Sequence, residues 1–324
     1  MLYDISAIEK TNTDAASSKL SCVYAGYFED DLLALFCPQR RQRRNPIINK
    51  GYYVRVALFR RTIDNFVHSF TDCQILNLGA GSDTNGLLAV RAHPNVTLFE
   101  VDTFDSVLSK ARVLHAHKDR FAFLTHSDEH FPESPSIDVA HGGEAARWCS
   151  LRLKLISHDL RTDLFSLKQK LIACGFDQKK PTLVLSECVL IYLDKEQSDR
   201  VLTWIARDLC TAPTLMALYE QVNPSDRFGE VMMENLSQRG CALLSITDTP
   251  SSQRTRLEGL KFHGARVELM THFNKLVPRK TPEIIDELEE FNLLQSHYFF
   301  ALAWNACTSV ELLVNMIMDN DDNA

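Results

Sequence analysis

The sequence predicts an open, doubly wound α/β sheet, and three features carry that expectation. An apolar run, Ile75-Leu76-Asn77-Leu78, feeds straight into a glycine turn, Gly79-Ala80-Gly81. The next apolar run, Val96-Thr97-Leu98-Phe99, closes on the acids Glu100 and Asp102. Further short apolar runs then alternate with stretches of helical period, as parallel strands joined by crossover helices do.

Residues 1–18 are dominated by Thr, Asn, Ser and Asp and are expected to be flexible. A helical pattern with aromatic positions Tyr24, Tyr27, Phe28 and Phe36 covers about 19–35. Four arginines follow in five positions, Arg40-Arg41-Gln42-Arg43-Arg44, and Pro46 breaks the chain. A second helix is expected over 52–69, where Val56, Phe59, Ile63, Phe66 and Val67 recur at three and four, as one buried face requires. The alternating core gives strands at 74–78, 96–101, 154–156, 182–185 and 214–218. Helices are expected between them, at 84–92, 103–117, 161–174 and 195–209. The stretch 126–151 is rich in Pro, Gly and acids and reads as a loop insertion of low order. Beyond Gln221, Ser225 offers a cap for a helix over 226–239, and further helices are expected at 250–259, 268–276 and 282–294. An aromatic strand over 297–304 follows. Residues 224–295 therefore read as a helical cap inserted before a final strand, and 19–324 as a single domain. The acidic tail 318–324 is expected to fray.

A chain of 324 residues that is 45% hydrophobic can bury one large core. Its net charge of −7 gives no support for a duplex nucleic-acid partner. The nine cysteines show no CxxC and no paired spacing, which reads as reduced thiols in the cytosol. The N-terminus lacks a signal-peptide core, and no apolar run approaches the ~20 residues of a membrane helix. Histidine pairs such as His115 with His117, or His126 with His130, lack a cysteine or carboxylate to complete a ligand set, so no metal is expected.

In a doubly wound sheet, ligands sit outside the carboxyl ends of the strands. That rule puts Gly79, Asp102, Asp159 and Glu187 on one rim. Asp102 follows Gly79 at roughly the ~20-residue spacing of a ribose-binding acid. A dinucleotide site would want a third glycine, where Thr84 stands, and would not want Asp83 beside a pyrophosphate. A cofactor with no phosphate and a cationic centre suits the turn better, which describes S-adenosylmethionine.

Four ordered stretches resemble the leucine carboxyl methyltransferases, which methylate the C-terminal leucine of the type-2A protein phosphatase catalytic subunit. They are Asn49-Lys50-Gly51-Tyr52-Tyr53-Val54-Arg55-Val56, the glycine turn from Asn77 to Thr84, Ser186-Glu187-Cys188-Val189-Leu190-Ile191-Tyr192, and the run from Tyr219 to Gly229. The resemblance implies a seven-stranded, Rossmann-like methyltransferase fold with added N-terminal helices and S-adenosylmethionine as cofactor. It implies that Lys19 and Arg55 hold the cofactor's carboxylate. It implies that Gly79 and Gly81 form the turn along the methionine part, and that Asp102 binds the ribose. Asp159 and Leu160 would flank the adenine, and Glu187 would face the methionine amino group. Arg55, Gln221 and Arg227 would position the substrate. The sequence departs from the family in its long polar insertion, and in Asn85-Gly86-Leu87-Leu88, which lacks the bulky aromatics common there.

The reaction so implied needs no general base, because a C-terminal carboxylate with a pKa near ~3.5 is already ionised at pH 7. Alignment and desolvation should carry the rate, and no catalytic triad is expected. Tyr298, Phe299, Phe300 and Trp304 read as core. The arginine run reads as a solvated face, an import signal or a steering patch. Two alternatives stand beside this function: a related wybutosine-type transfer-RNA methyltransferase, and a non-catalytic binder of the phosphatase tail. A cytoplasmic location, with nuclear access, completes the expectation.

Overall fold

The computed structural model describes residues 5–37, 43–125, 131–132, 136–140, 143–276, 282–305 and 308–319. Nine strands form one sheet among them: β1 (Gln74–Leu78), β2 (Thr97–Asp102), β3 (Ser136–Ala140), β4 (Gly143–Cys149), β5 (Leu153–Ser157), β6 (Thr182–Glu187), β7 (Thr214–Gln221), β8 (Gly264–Leu269) and β9 (Tyr298–Trp304). Their order is β3-β4-β5-β2-β1-β6-β7-β9-β8. Strands β5, β2, β1, β6 and β7 run parallel, while β9 is antiparallel to both β7 and β8. These seven are the expected methyltransferase sheet, and the antiparallel β3–β4 pair extends one edge.

Burial alternates along the strands as a period-two backbone dictates. Ile75, Leu183, Leu185, Leu215 and Ala217 join one core cluster; Leu76, Leu78, Val184, Met216 and Leu218 join the other. Helices α3 (Pro46–Ser69), α4 (Asn85–Ala92) and α5 (Phe104–Ala116) cover the first face. Helices α6 (Leu164–Ala173), α7 (Lys195–Arg207) and α9 (Pro250–Gly259) cover the second. Register sets the rim: Leu78 pairs with Val101 and Ser186, and Asp102 pairs with Ser157. The strand order reverses beside β1, so the crevice of a doubly wound sheet opens above its glycine turn.

Five expectations change. Residues 5–18 are the first two thirds of helix α1 (Ile5–Ala25), which buries Ala16 and Leu20 against α2 (Leu33–Phe36). The helix expected over 19–35 stops at Gly26, which takes φ +85°, a conformation that glycine adopts freely. The insertion carries strands β3 and β4, and β4 places Ala146 and Trp148 in the first core cluster and Cys149 against the second. The segment expected to be helix over 268–276 begins as the end of β8 and continues as a 3-10 turn over Met270–Leu276, and α10 is only Leu288–Gln295. The cap therefore contributes an edge strand as well as α8 (Arg227–Gln238), α9 and α10. Finally, helix α11 (Thr308–Asp319) follows β9, burying Val310, Leu313, Val314, Ile317 and Met318 on the first face. It answers the fraying expected at Met318; residues 320–324 lie outside the described residues.

Candidate cofactor and substrate site

A cavity of about 710 Å³ lies above the crevice, between the rim, α1, α3 and the cap. Lys19, Arg55, Gly79, Gly81, Asp102, Asp159, Leu160, Glu187 and Gln221 all line it. Arg227 does not: it points into solvent and pairs with Glu230 one turn along α8. Its neighbour Asp226, rather than Ser225, caps that helix by accepting from the Gly229 N–H at 2.8 Å.

The glycine turn works as the sequence suggested. Gly79 and Gly81 take φ +63° and +44°. A Cβ on Gly79 would meet the Val189 side chain at 2.5 Å, and one on Gly81 would meet Asn12 at 2.4 Å. Asp102 accepts from the N–H groups of Gly81 at 2.6 Å and Thr103 at 2.7 Å, so each carboxylate oxygen keeps a lone pair for another donor. From α1, Asn12 accepts from the Ser82 N–H at 2.8 Å and donates to the Ser82 hydroxyl at 3.1 Å. Polar α1 thus roofs the turn, a role with no signal in its composition.

Charge gathers at one end of the cavity. Lys19 reaches Asp83 and Glu187, each at 3.0 Å, and the Arg55 Nε donates to the other Glu187 oxygen. Burial alone would lower the pKa of Lys19, but Asp83 and Glu187 outweigh it and raise the value. Arg55 is likewise raised against burial by Glu187. Asp83 is held down against burial by Lys19 and Lys110. The turn acid therefore neutralises a lysine, where the sequence had suggested a direct match to a cationic cofactor centre. From beneath, buried Lys110 donates to the Asp83 carbonyl at 2.8 Å and pairs with Glu100 at 2.6 Å. Glu100, the other acid of the strand-end pair, thus serves the underside of the turn.

At the rim of β5, Asp159 is bound by both Nε and the terminal amine of Arg161, at 2.7–3.0 Å. His158 is pushed down to about 4 by burial and then by Lys170, so its ring is neutral near pH 7. Leu160 offers an apolar surface beside them.

Beyond Arg55, where the two regions meet, the lining turns aromatic. The Arg55 guanidinium lies over Tyr219 at 4.5 Å and Tyr52 at 5.0 Å, and Tyr219 stacks on Tyr298 at 5.3 Å. Burial raises the pKa of all three tyrosines and of Tyr192, so their hydroxyls stay protonated donors. Tyr298 lines the cavity, while Phe299, Phe300 and Trp304 are core as expected. An antiparallel strand delivers its first residue to the rim where parallel strands deliver their last, and that rule would have found Tyr298. Two polar atoms are buried here without a partner among the described residues: Gln221 Oε1 and Arg44 Nε. Arg44 is the last of the arginine run; Arg40 and Arg41 lie outside the described residues, and Arg43 pairs with Glu283 at the surface.

S-adenosylmethionine fits this lining. An amino-acid zwitterion suits a group in which Glu187 can accept from its ammonium while Lys19 and Arg55 face its carboxylate. Asp102 suits ribose hydroxyls, and Leu160 with Asp159 an adenine. Among the described residues there is no cluster of three metal-ligating side chains.

A family profile described as leucine carboxyl methyltransferase matches residues 12–206. The chain is 37% identical over 316 residues to the leucine carboxyl methyltransferase 1 homolog of Arabidopsis thaliana, across 92% of this chain and 89% of that one. It is 33% identical over 331 residues to tRNA wybutosine-synthesizing protein 4 of Homo sapiens, across 95% of this chain but 45% of that protein. Among solved structures, a proposed methyltransferase from Thermobifida fusca aligns with a TM-score of 0.52 at 14% identity, across 91% of this chain and 94% of that one, a likeness of fold. With the profile matched over more than half its length and so similar a relative along nearly all of it, this chain belongs to the leucine carboxyl methyltransferase family, and S-adenosylmethionine is its cofactor.

Proposed function

We propose that the enzyme methylates the α-carboxylate of a C-terminal leucine, and that its substrate is the catalytic subunit of type-2A protein phosphatase. One observation carries the reading: the cavity offers an incoming anion many donors and no free base. Asp83, Asp102, Asp159 and Glu187 are each already bound by a cation or a backbone N–H, and His158, pushed down to about 4 by burial, is a weak base at pH 7. A nucleophile that must be deprotonated on site would gain little here, whereas a carboxylate arrives ionised.

The bound cofactor supplies an electrophilic methyl group on a sulfonium. This chain supplies position. Gly79, Gly81 and Asp102 fix the nucleoside and methionine parts, and Lys19 with Arg55 and Glu187 fix the amino-acid end. The Tyr192 and Tyr298 hydroxyls and the Arg44 Nε–H line the remaining space as donors, and Gln221 Oε1 is an acceptor for a backbone N–H of the incoming chain. Donors there offset the desolvation that an anion undergoes on entering. Alignment of two bound reactants can contribute about 7–11 kcal/mol. Leu193 and Leu236 add apolar lining suited to a leucine side chain. We also place the enzyme in the cytoplasm with access to the nucleus, which imaging of the tagged chain checks.

The test is methyl transfer from labelled cofactor to the phosphatase catalytic subunit, to the same subunit without its terminal leucine, and to transfer RNA. The reading expects label on the intact subunit alone, released by mild alkali as an ester would be. Label surviving the leucine deletion refutes it. Label on transfer RNA favours the second relative's chemistry, and cofactor binding without transfer to either favours a tail-binding role.

A further inference from the structure

The sequence showed nine cysteines without paired spacing, yet the fold makes a pair of two of them. Cys149 ends β4 and Cys174 caps the C-terminus of α6, and their sulfurs lie 3.6 Å apart. Both line a second cavity of about 450 Å³, together with Arg147, Lys154 and Trp148. It shares no residue with the cofactor cavity. The pair sits at the far end of the sheet: Cys149 pairs with Lys154 at the start of β5, whose other end pairs with Asp102.

We propose that Cys149 and Cys174 form a reversible dithiol–disulfide site whose substrate is a small hydroperoxide. Cys174 is the attacking sulfur. The Cys149 S–H donates to it, and this bond, with help from Arg147 and Lys154, outweighs burial and brings the Cys174 thiol down to about 7. Cys149 moves the other way, raised by its bond to Cys174 and by burial, and so stays a thiol until its partner is oxidised.

The steps balance. The Cys174 thiolate attacks the distal peroxide oxygen and breaks the O–O bond, becoming a sulfenic acid; the other oxygen leaves and takes up a proton as an alcohol, or as water when the peroxide is hydrogen peroxide. Cys149 then attacks the sulfenic sulfur. Its proton and the displaced hydroxide leave as water, and the S–S bond forms. Two thiols lose two electrons and the hydroperoxide gains them. The sulfurs need only close from 3.6 Å to bonding distance by side-chain rotation. The basic lining gives the thiolate the electropositive setting of reactive cysteines, and the cavity gives a small peroxide access to Cys174, which is itself buried.

The experiment uses the full chain, reduced and desalted, dosed with one equivalent of hydrogen peroxide near pH 7, then alkylated and mapped by peptide mass spectrometry. A Cys149–Cys174 crosslink should appear about tenfold faster than oxidation of any other cysteine and vanish with dithiothreitol. In Cys149→Ser, which keeps the shape, Cys174 should stop at a sulfenic acid that dimedone traps. In Cys174→Ser, Cys149 should react no faster than the remaining cysteines. Thermal unfolding confirms that each variant is folded. A pair that stays reduced while other cysteines oxidise overturns the proposal, as does Cys174 untrapped by dimedone in folded Cys149→Ser. No methyl transfer is measured, so the outcome is independent of the function proposed above.

Discussion

The two ends of the large cavity are built on opposite principles. At the cofactor end every charge is answered: Lys19 by two carboxylates, Arg55 by Glu187, Asp102 by two backbone donors, Asp159 by Arg161. At the substrate end the surfaces are tyrosine and leucine, and one polar atom each of Gln221 (Oε1) and Arg44 (Nε) is buried without a partner, although Arg44 also reaches Asp14 at 3.5 Å. A saturated network costs little to keep folded and holds a small zwitterion in one orientation. Unanswered donors and acceptors cost stability until something binds, which favours an occupant that comes and goes. The contrast assigns the resident cofactor to one end and the visiting chain terminus to the other.

The largest effect should come from breaking the saturated end. Arg55→Ala leaves Glu187 buried with Lys19 alone; losing one partner of a buried pair costs about 3–5 kcal/mol. Cofactor affinity measured by calorimetry should fall by about 100-fold or more, and turnover with it. Affinity within a few-fold of the wild type would mean that Arg55 serves the substrate only. Asp102→Ala comes next. It removes an acceptor for ribose hydroxyls worth about 1.5–3 kcal/mol, so affinity should drop by roughly 10- to 100-fold. It also frees the Gly81 and Thr103 N–H groups, so the turn should loosen in hydrogen exchange.

A smaller effect sharpens the boundary between the ends. Burial pushes the Glu220 carboxyl from 4.5 up to about 7, though it accepts from the Ile191 N–H at 2.7 Å and steadies the loop after β6. The folded chain keeps that proton where the unfolded chain has released it. Stability therefore falls as pH rises from about 4.5 to about 7 and then levels. Glu220→Gln should flatten that slope in thermal melts, and a slope unchanged in the variant would assign it to other groups. The smallest effect is Arg227→Ala, which should leave both affinities within about twofold, since its exposed pair contributes little. A tenfold change would bring α8 back into the site.

The same contrast explains what the sequence disclosed. The cofactor end is built from rim residues, and rim residues announce themselves: an apolar run, then Gly79, Asp102 or Glu187 where a strand surfaces. Lys19 and Arg55 needed the family resemblance, because nothing local separates a buried helical lysine or arginine from a solvated one. The substrate end draws on β9 running backwards and on α8, and neither has a strand-end signature, so Tyr298 read as core and Arg227 as part of the cleft. Helix α1, which roofs the glycine turn, read as flexible over 5–18 because its polar composition carries no helical stripe. The β3–β4 edge was missed because the prolines, glycines and acids around the two short strands read as a polar loop and outweighed their apolar residues. Helix α11 was missed because its acidic end, Asp319 onward, masked the apolar face at Val310, Leu313, Val314 and Ile317.

The division of the cavity is tested most directly by initial rates measured over a grid of cofactor and substrate concentrations, for Asp102→Ala and Gln221→Ala side by side. The assay uses the substrate proposed above, the phosphatase catalytic subunit with its terminal leucine. Asp102→Ala should raise the cofactor KM by about 10-fold or more and leave the substrate KM within about twofold. Gln221→Ala should do the reverse, raising the substrate KM by up to about 10-fold, as loss of the Oε1 acceptor for a backbone N–H of the incoming chain, about 0.5–1.5 kcal/mol, predicts. Both variants acting on the same KM would contradict the account, because the two ends would then be holding one ligand.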